Sequence, residues 1–216
     1  EYSSLVDTKI GSKGNGLACG YNFIGATYPF GMVQFTPTFF SANKGFVITQ
    51  LNGAGCSNLG NFPIIPLSGT IEKSPNDMNS FEKYQKVEKA KAGHLSLKMN
   101  DNIGVDLTVT KRSGIGKFSF DNSNYGTLII GTGINSSPPE NIKDAFVKIT
   151  SDSSCEGYTR GGDFCGTESD YKIYFAAEFD RPSTYNGTWK EKKLSTKKSS
   201  SGKNSGAYFT FDLSLI

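Results

Sequence analysis

The 216-residue chain is poor in groups that do acid–base or nucleophilic chemistry. It holds one histidine, His94, so a Ser–His–Asp arrangement has a single possible base. His94 opens the alternating run His94-Leu95-Ser96-Leu97-Lys98-Met99, which reads as a partly exposed strand histidine. Its cysteines, Cys19, Cys56, Cys155 and Cys165, match no zinc spacing. The glycine-rich segment Gly11-Ser12-Lys13-Gly14-Asn15-Gly16 lacks the Gly-Lys-Ser/Thr ending of a phosphate loop. Carboxylates at 140–144 and 163–170 fall in expected loops, and nothing pairs them at glycosidase spacing. Amides are denser. Gln50, Asn52, Ser57, Asn58 and Asn61 share a short stretch with Gly53, Gly55, Cys56 and Gly60. Amides donate and accept in fixed geometry, which suits a hydroxyl-rich ligand. Glycine lets backbone bend sharply or approach a ligand closely. Trp189 and the ten tyrosines offer stacking faces for a sugar ring, although most such rings fill cores.

The elements that would position these groups read as short strands. Leu5-Val6-Asp7-Thr8-Lys9-Ile10 is an expected opening strand, followed by a loop over 11–20. Further strands are expected at 32–35, 46–51 and 62–71, with Pro63 and Pro66 placing the last at a sheet edge or in a bulged path. Residues 80–87 fit either a short helical turn or an extended segment. The runs 94–99 and 105–110 alternate around the turn Asp101-Asn102-Ile103-Gly104 and are predicted to pair as a hairpin. Strands follow at 116–120, 127–130 and 145–149. A glycine-rich excursion around the last two cysteines comes next, then strands at 171–179 and 207–212. The lysine- and serine-rich stretch 190–203 reads as a solvated loop. About ten strands without a long helix predict an all-β chain. It is expected to be a mostly antiparallel β-sandwich forming a single domain over residues 1–216.

Bulk properties agree. Hydrophobic residues make up 36% of the chain and aromatics 12%, enough for a sizeable core rich in strand formers. The net charge of +3 gives no strong reason to invoke nucleic acid or an anionic membrane. No apolar run is long enough to span a bilayer. Four cysteines suit two disulfides and an exported protein, so the expected location is secreted, periplasmic or cell-surface. Cys155–Cys165 is the favoured pair, across the arms of one glycine-rich excursion, with Cys19–Cys56 a possible second.

The glycine-rich pieces resemble glycoside hydrolase family 92, the exo-acting, calcium-dependent α-mannosidases. The matching segments are Val6-Asp7-Thr8-Lys9-Ile10-Gly11, residues 45–60, and Ile24-Gly25-Ala26-Thr27-Tyr28-Pro29-Phe30-Gly31-Met32-Val33-Gln34-Phe35-Thr36-Pro37. The similarity continues through residues 92–97, 103–114 and 174–179. It implies a supersandwich-like (galactose-mutarotase-like) N-terminal domain packed on a C-terminal (α/α)6 barrel. By the same resemblance the barrel holds the acid, the base and the calcium ligands of an inverting reaction on terminal α-mannosides, α-1,2 or similar.

The resemblance thus predicts no catalytic residue and no metal ligand in this chain, which alone is expected to be inactive. It implies mannose-containing glycans, such as N-glycans, and the barrel domain as partners, with calcium belonging to the full-length enzyme. Gln50, Gly55, Cys56, Ser57, Asn58 and Asn61 become the expected sugar-contacting residues. The family usually holds histidine at position 50 and aspartate at 58, and often aspartate at 61. Amides at these positions keep the shape and lose the charge. That loss supports an alternative, a non-catalytic carbohydrate-binding module; a structural scaffold for a partner domain is a third reading.

Overall fold

The computed structural model describes residues 2–12, 22–37, 45–49, 60–77, 85–99, 102–133, 142–163 and 166–214. Within them the chain makes sixteen strands, all paired antiparallel. The first four are short: β1 (Ala26–Thr27), β2 (Gln34–Pro37), β3 (Phe46–Val47) and β4 (Ile64–Ser68). A meander follows, with β5 (Gln85–Lys91), β6 (His94–Met99), β7 (Ile103–Val109) and β8 (Gly114–Phe120). Next are β9 (Tyr125–Gly131), β10 (Asp144–Ser151), β11 (Ser154–Gly162) and β12 (Asp170–Glu178). The chain ends with β13 (Tyr185–Lys190), β14 (Lys193–Ser195), β15 (Ser199–Ser201) and β16 (Ser205–Asp212). They form one eight-stranded sheet, in the order β1-β2-β3-β4-β9-β16-β13-β14. Two four-stranded sheets, β5-β6-β7-β8 and β12-β11-β10-β15, complete the fold.

The expected sandwich is present, with two small sheets covering one face of the large one. Leu95, Leu97, Val105 and Leu107 of β6 and β7 pack on Ala26, Phe35 and Phe46. Val147, Ile149 and Cys155 pack on Leu128, Ile130, Ala207 and Phe209. Period-two alternation puts these residues inward, and each large one contributes about 1.5–3 kcal/mol by leaving water. A third cluster, Ile65, Ile129 and Trp189, lies on the opposite face of the large sheet. Trp189 is thus a core residue, 1% exposed, not a sugar-stacking face.

Several expectations are corrected. Residues 5–10 form no strand: Tyr2–Leu5 is a 3-10 turn. Asp7 Oδ1 then accepts from the Lys9 N–H at 2.9 Å, curling the chain locally. The proline-bearing strand β4 is interior, between β3 and β9. Because β3 meets it only at Ile64, Pro66 pairs on one side alone, where a missing N–H is tolerated. Of residues 80–87, the described part, from Gln85, is extended, as β5. The stretch 190–203 carries exposed lysines, yet it contains β14 and β15 and crosses from the large sheet to a small one.

The glycine-rich excursion is strand β11. This removes the favoured disulfide, since Cys155 is a buried free thiol. Cys165 itself, with Cys19 and Cys56, lies outside the described residues.

Candidate functional site

One end of the sandwich gathers the features that matter for the amide-rich loop. Strand β3 runs into Ile48 and Thr49, the chain returns at Asn61, and β4 begins at Ile64. Thr49 and Asn61 form an isolated antiparallel bridge that closes the base of the intervening loop, residues 50–60. The Asn61 N–H donates to the Thr49 carbonyl at 3.2 Å, and the Ile48 N–H donates to the Asn61 carbonyl at 3.1 Å. The side chains repeat the clasp: the Thr49 hydroxyl donates to Asn61 Oδ1 at 2.8 Å. Asn61 Nδ2 in turn donates to the Tyr171 hydroxyl at 3.1 Å, tying the loop to β12 in another sheet.

Phe62 completes the base. Its φ of 53° is left-handed, uncommon for a bulky side chain and costly by about 1–3 kcal/mol. Its ring packs on Phe175 with centroids 4.6 Å apart, which holds the backbone in that turn. The return leg is fixed from both sides, by a polar clasp and by an aromatic contact.

The β11–β12 hairpin ends beside this base, and two of its carboxylates, Asp163 and Asp170, are committed. Lys143 Nζ lies 3.2 Å from Asp163 Oδ1 and donates to the Ser169 carbonyl at 3.1 Å. Arg160 Nε donates to Asp170 Oδ1 at 3.0 Å, and the guanidinium grips both carboxylate oxygens. That hydrogen bond, with the charge of Arg160, holds the Asp170 carboxyl below its ordinary range. A general acid needs the opposite shift, so Asp170 is built for an ion pair rather than for proton donation. His94 sits away from the clasp on β6, its Nε2 3.5 Å from Asp106 Oδ1.

Among the predicted contact residues, Asn61 is described, and it is buried at the loop base. Gln50, Gly55, Cys56, Ser57 and Asn58 lie outside the described residues. Thr49, Phe62 and Tyr171 were not singled out by sequence. Thr49 directly flanks the amide-rich loop in sequence, whereas Tyr171 is 110 positions from its partner. Among the described residues, no three His, Cys, Asp or Glu side chains converge to hold a metal ion.

The model of the glycosyl hydrolase family 92 N-terminal domain matches residues 5–215. The chain belongs to that family. Solved structures agree in fold. The family 92 glycosyl hydrolase ccman5 superposes with a TM-score of 0.82 at 22% identity, over 98% of this chain and 31% of that one. The family 92 α-mannosidase BT3965 from Bacteroides thetaiotaomicron gives 0.78 at 21% identity, over 97% and 31%. The inverting mannosidase BT2199 from Bacteroides thetaiotaomicron VPI-5482 gives 0.73 at 18%, over 99% and 30%. No curated protein matches the chain in sequence. This family 92 domain spans under a third of the length of those structures, and at such identities the likeness establishes the fold.

Proposed function

We propose that this domain supplies one wall of the mannose-binding pocket of an α-mannosidase and packs on a catalytic barrel that carries the chemistry. The observation that carries the reading is the doubly held loop base at Thr49, Asn61 and Tyr171. A wall that meets a sugar must hold its shape before the ligand arrives, since each ordered side chain otherwise costs binding energy. The committed carboxylates at 163 and 170 add support, because neither is placed to donate or accept a catalytic proton. Membership of family 92 and mannosidases among the similar folds point to α-mannosides as the substrate class, inverted on hydrolysis. Calcium belongs to the assembled enzyme in this reading.

An exposed apolar turn fits the docking part. The turn from Tyr28 to Gly31 closes with the Gly31 N–H donating to the Tyr28 carbonyl at 2.9 Å. It presents Phe30 at 105% exposure and left-handed φ of 59°, with Met32 exposed beside it. The proposed occupant of this patch is the barrel, whose burial of Phe30 would offset the strain of the turn.

The test is release of mannose from a terminal α-mannoside. The domain alone should release none, and the domain joined to a family 92 barrel should release it when calcium is supplied. Mannose release by the isolated domain, or no release by an assembly with an intact acid and base, overturns the reading. The amides at positions 50 and 58 favour one other reading, a module that binds glycans without cleaving them. Titration of the isolated domain with mannosides separates the two.

A further inference from the structure

The far end of the sandwich holds a second, unrelated pocket of about 440 Å³. It lies at the start of β13, beside the β10–β11 turn of a small sheet. Its lining comes from Tyr185 at the start of β13, Tyr208 on β16, and Asp152 in the β10–β11 turn. Asp152 lies at the opposite end of β11 from the hairpin that neighbours the Asn61 clasp. Pocket and loop are therefore separated by the length of the strands.

The polar groups are fixed before any ligand arrives. Ser183 donates through its N–H at 2.8 Å and its hydroxyl at 2.7 Å to the Asp152 carbonyl, which locks the turn. Asn186 Nδ2 donates to Asp152 Oδ1 at 3.0 Å and to Ser183 Oγ at 2.9 Å. Lys198 Nζ donates to Asn186 Oδ1. One carboxylate and one ammonium thus share an amide, so the pocket has paired charges and spare donors and acceptors on both.

Two tyrosines give the walls. Tyr208 leans over its cross-strand partner Gly187, where a Cβ would fall 2.6 Å from the Tyr208 hydroxyl. Burial pushes the Tyr208 phenol up, so it stays a neutral donor and acceptor. Tyr185 is 57% exposed, with its ring 6.4 Å from that of Tyr125. The hydroxyls of Thr70, Thr196 and Tyr208 point to a ligand rich in hydroxyl groups. Paired charges disfavour an anion or a cation, and the phenol rings offer a flat apolar face.

We infer that this pocket is a second, non-catalytic carbohydrate site that takes a neutral pyranoside unit between Tyr185 and Tyr208. Asp152 and Lys198 would each meet a ring hydroxyl. The inference stands apart from the proposed role of the loop and does not need a barrel domain.

The test is ligand-observed saturation-transfer NMR of the protein with methyl α-mannoside and the corresponding glucoside, galactoside and xyloside. At least one pyranoside should bind. Its affinity should weaken roughly tenfold in Tyr185→Ala and in Tyr208→Phe, the scale of one lost polar contact or stacking face. Tyr185 is exposed and Tyr208→Phe keeps the ring, so both variants should melt as the parent does. The inference fails if none of the four pyranosides binds. It fails equally if binding survives both tyrosine variants unweakened, an outcome that leaves the loop reading intact.

Discussion

Asn61 and Tyr171 meet across 110 residues of chain, the Asn61 amide donating to the Tyr171 hydroxyl at 3.1 Å. With the Phe62–Phe175 ring contact, the bond joins the base of the amide-rich loop to β12 in another sheet. It makes the loop part of the sandwich rather than an appendage of one strand pair.

Removing that hydroxyl should loosen the base without emptying it. Tyr171→Phe is expected to cost about 1 kcal/mol of stability, a fall of roughly 2–4 °C in Tm for a chain of this length. In an assembled mannosidase the same change should raise KM for an α-mannoside more than it lowers kcat, since the loop would be misplaced and the chemistry intact. Thermal unfolding and steady-state kinetics check both parts. An unchanged Tm would mean the bond is not maintained in solution.

Cys155 makes a prediction about pH. Burial first, and the neighbouring Glu156 second, push its thiol up from 9.0 to about 12. The unfolded chain loses this proton at lower pH than the folded chain does. Its contribution to stability is therefore complete below pH 9 and falls as pH rises toward 12, by up to about 1.4 kcal/mol per unit. Denaturant unfolding between pH 8 and 11 should show that slope, and Cys155→Ala should flatten it. A thiol reagent at pH 8 should modify Cys155 only after unfolding, and non-reducing mass spectrometry should find no 155–165 bridge.

Gly157 explains why β11 reads as a loop. In β11 it faces inward, where a Cβ would lie 2.2 Å from the Phe146 carbonyl and 2.9 Å from the Phe175 ring. The strand needs glycine for close packing, and the same glycine makes the segment read as a bend. Gly157→Ala should cost at least about 2 kcal/mol. Gly104→Ala on β7, with only Ser119 Cβ at 3.6 Å, should stay within about 0.5 kcal/mol. Equal effects in chemical denaturation would show that Gly157 is not packed this tightly.

Legibility in the sequence follows the same physics. The β6–β7 hairpin could be read because one face of each strand is buried and the other wet, so alternation survives in the residue types. β14 and β15 were hidden because Lys193 and the serines of 199–201 are chosen by solvent, while their pairing with β13 and β10 is chosen by the backbone. Residues 5–10 mislead in the other direction, their apolar residues being exposed rather than buried in a sheet. Asn61 was singled out through its amide and its company of glycines. Its partner on β12 was not, because a contact 110 residues distant leaves no local pattern.

The loop amides give the sharpest test of the proposed pocket wall. By the resemblance drawn from the sequence, Asn58 takes the place of a family aspartate and Gln50 that of a family histidine. An amide bonds a sugar hydroxyl as a neutral partner, whereas a carboxylate makes a charge-assisted bond of roughly twice the strength. If residue 58 meets the sugar, Asn58→Asp in an assembled mannosidase should raise kcat/KM about threefold to tenfold. The gain should also carry a pH dependence that the parent amide lacks. The introduced carboxylate is charged above about pH 4 and neutral below it, so the advantage should vanish as pH falls through that value. A variant whose kcat/KM matches the parent across the whole pH range would place residue 58 off the sugar, and the wall would then rest on the backbone of the loop alone.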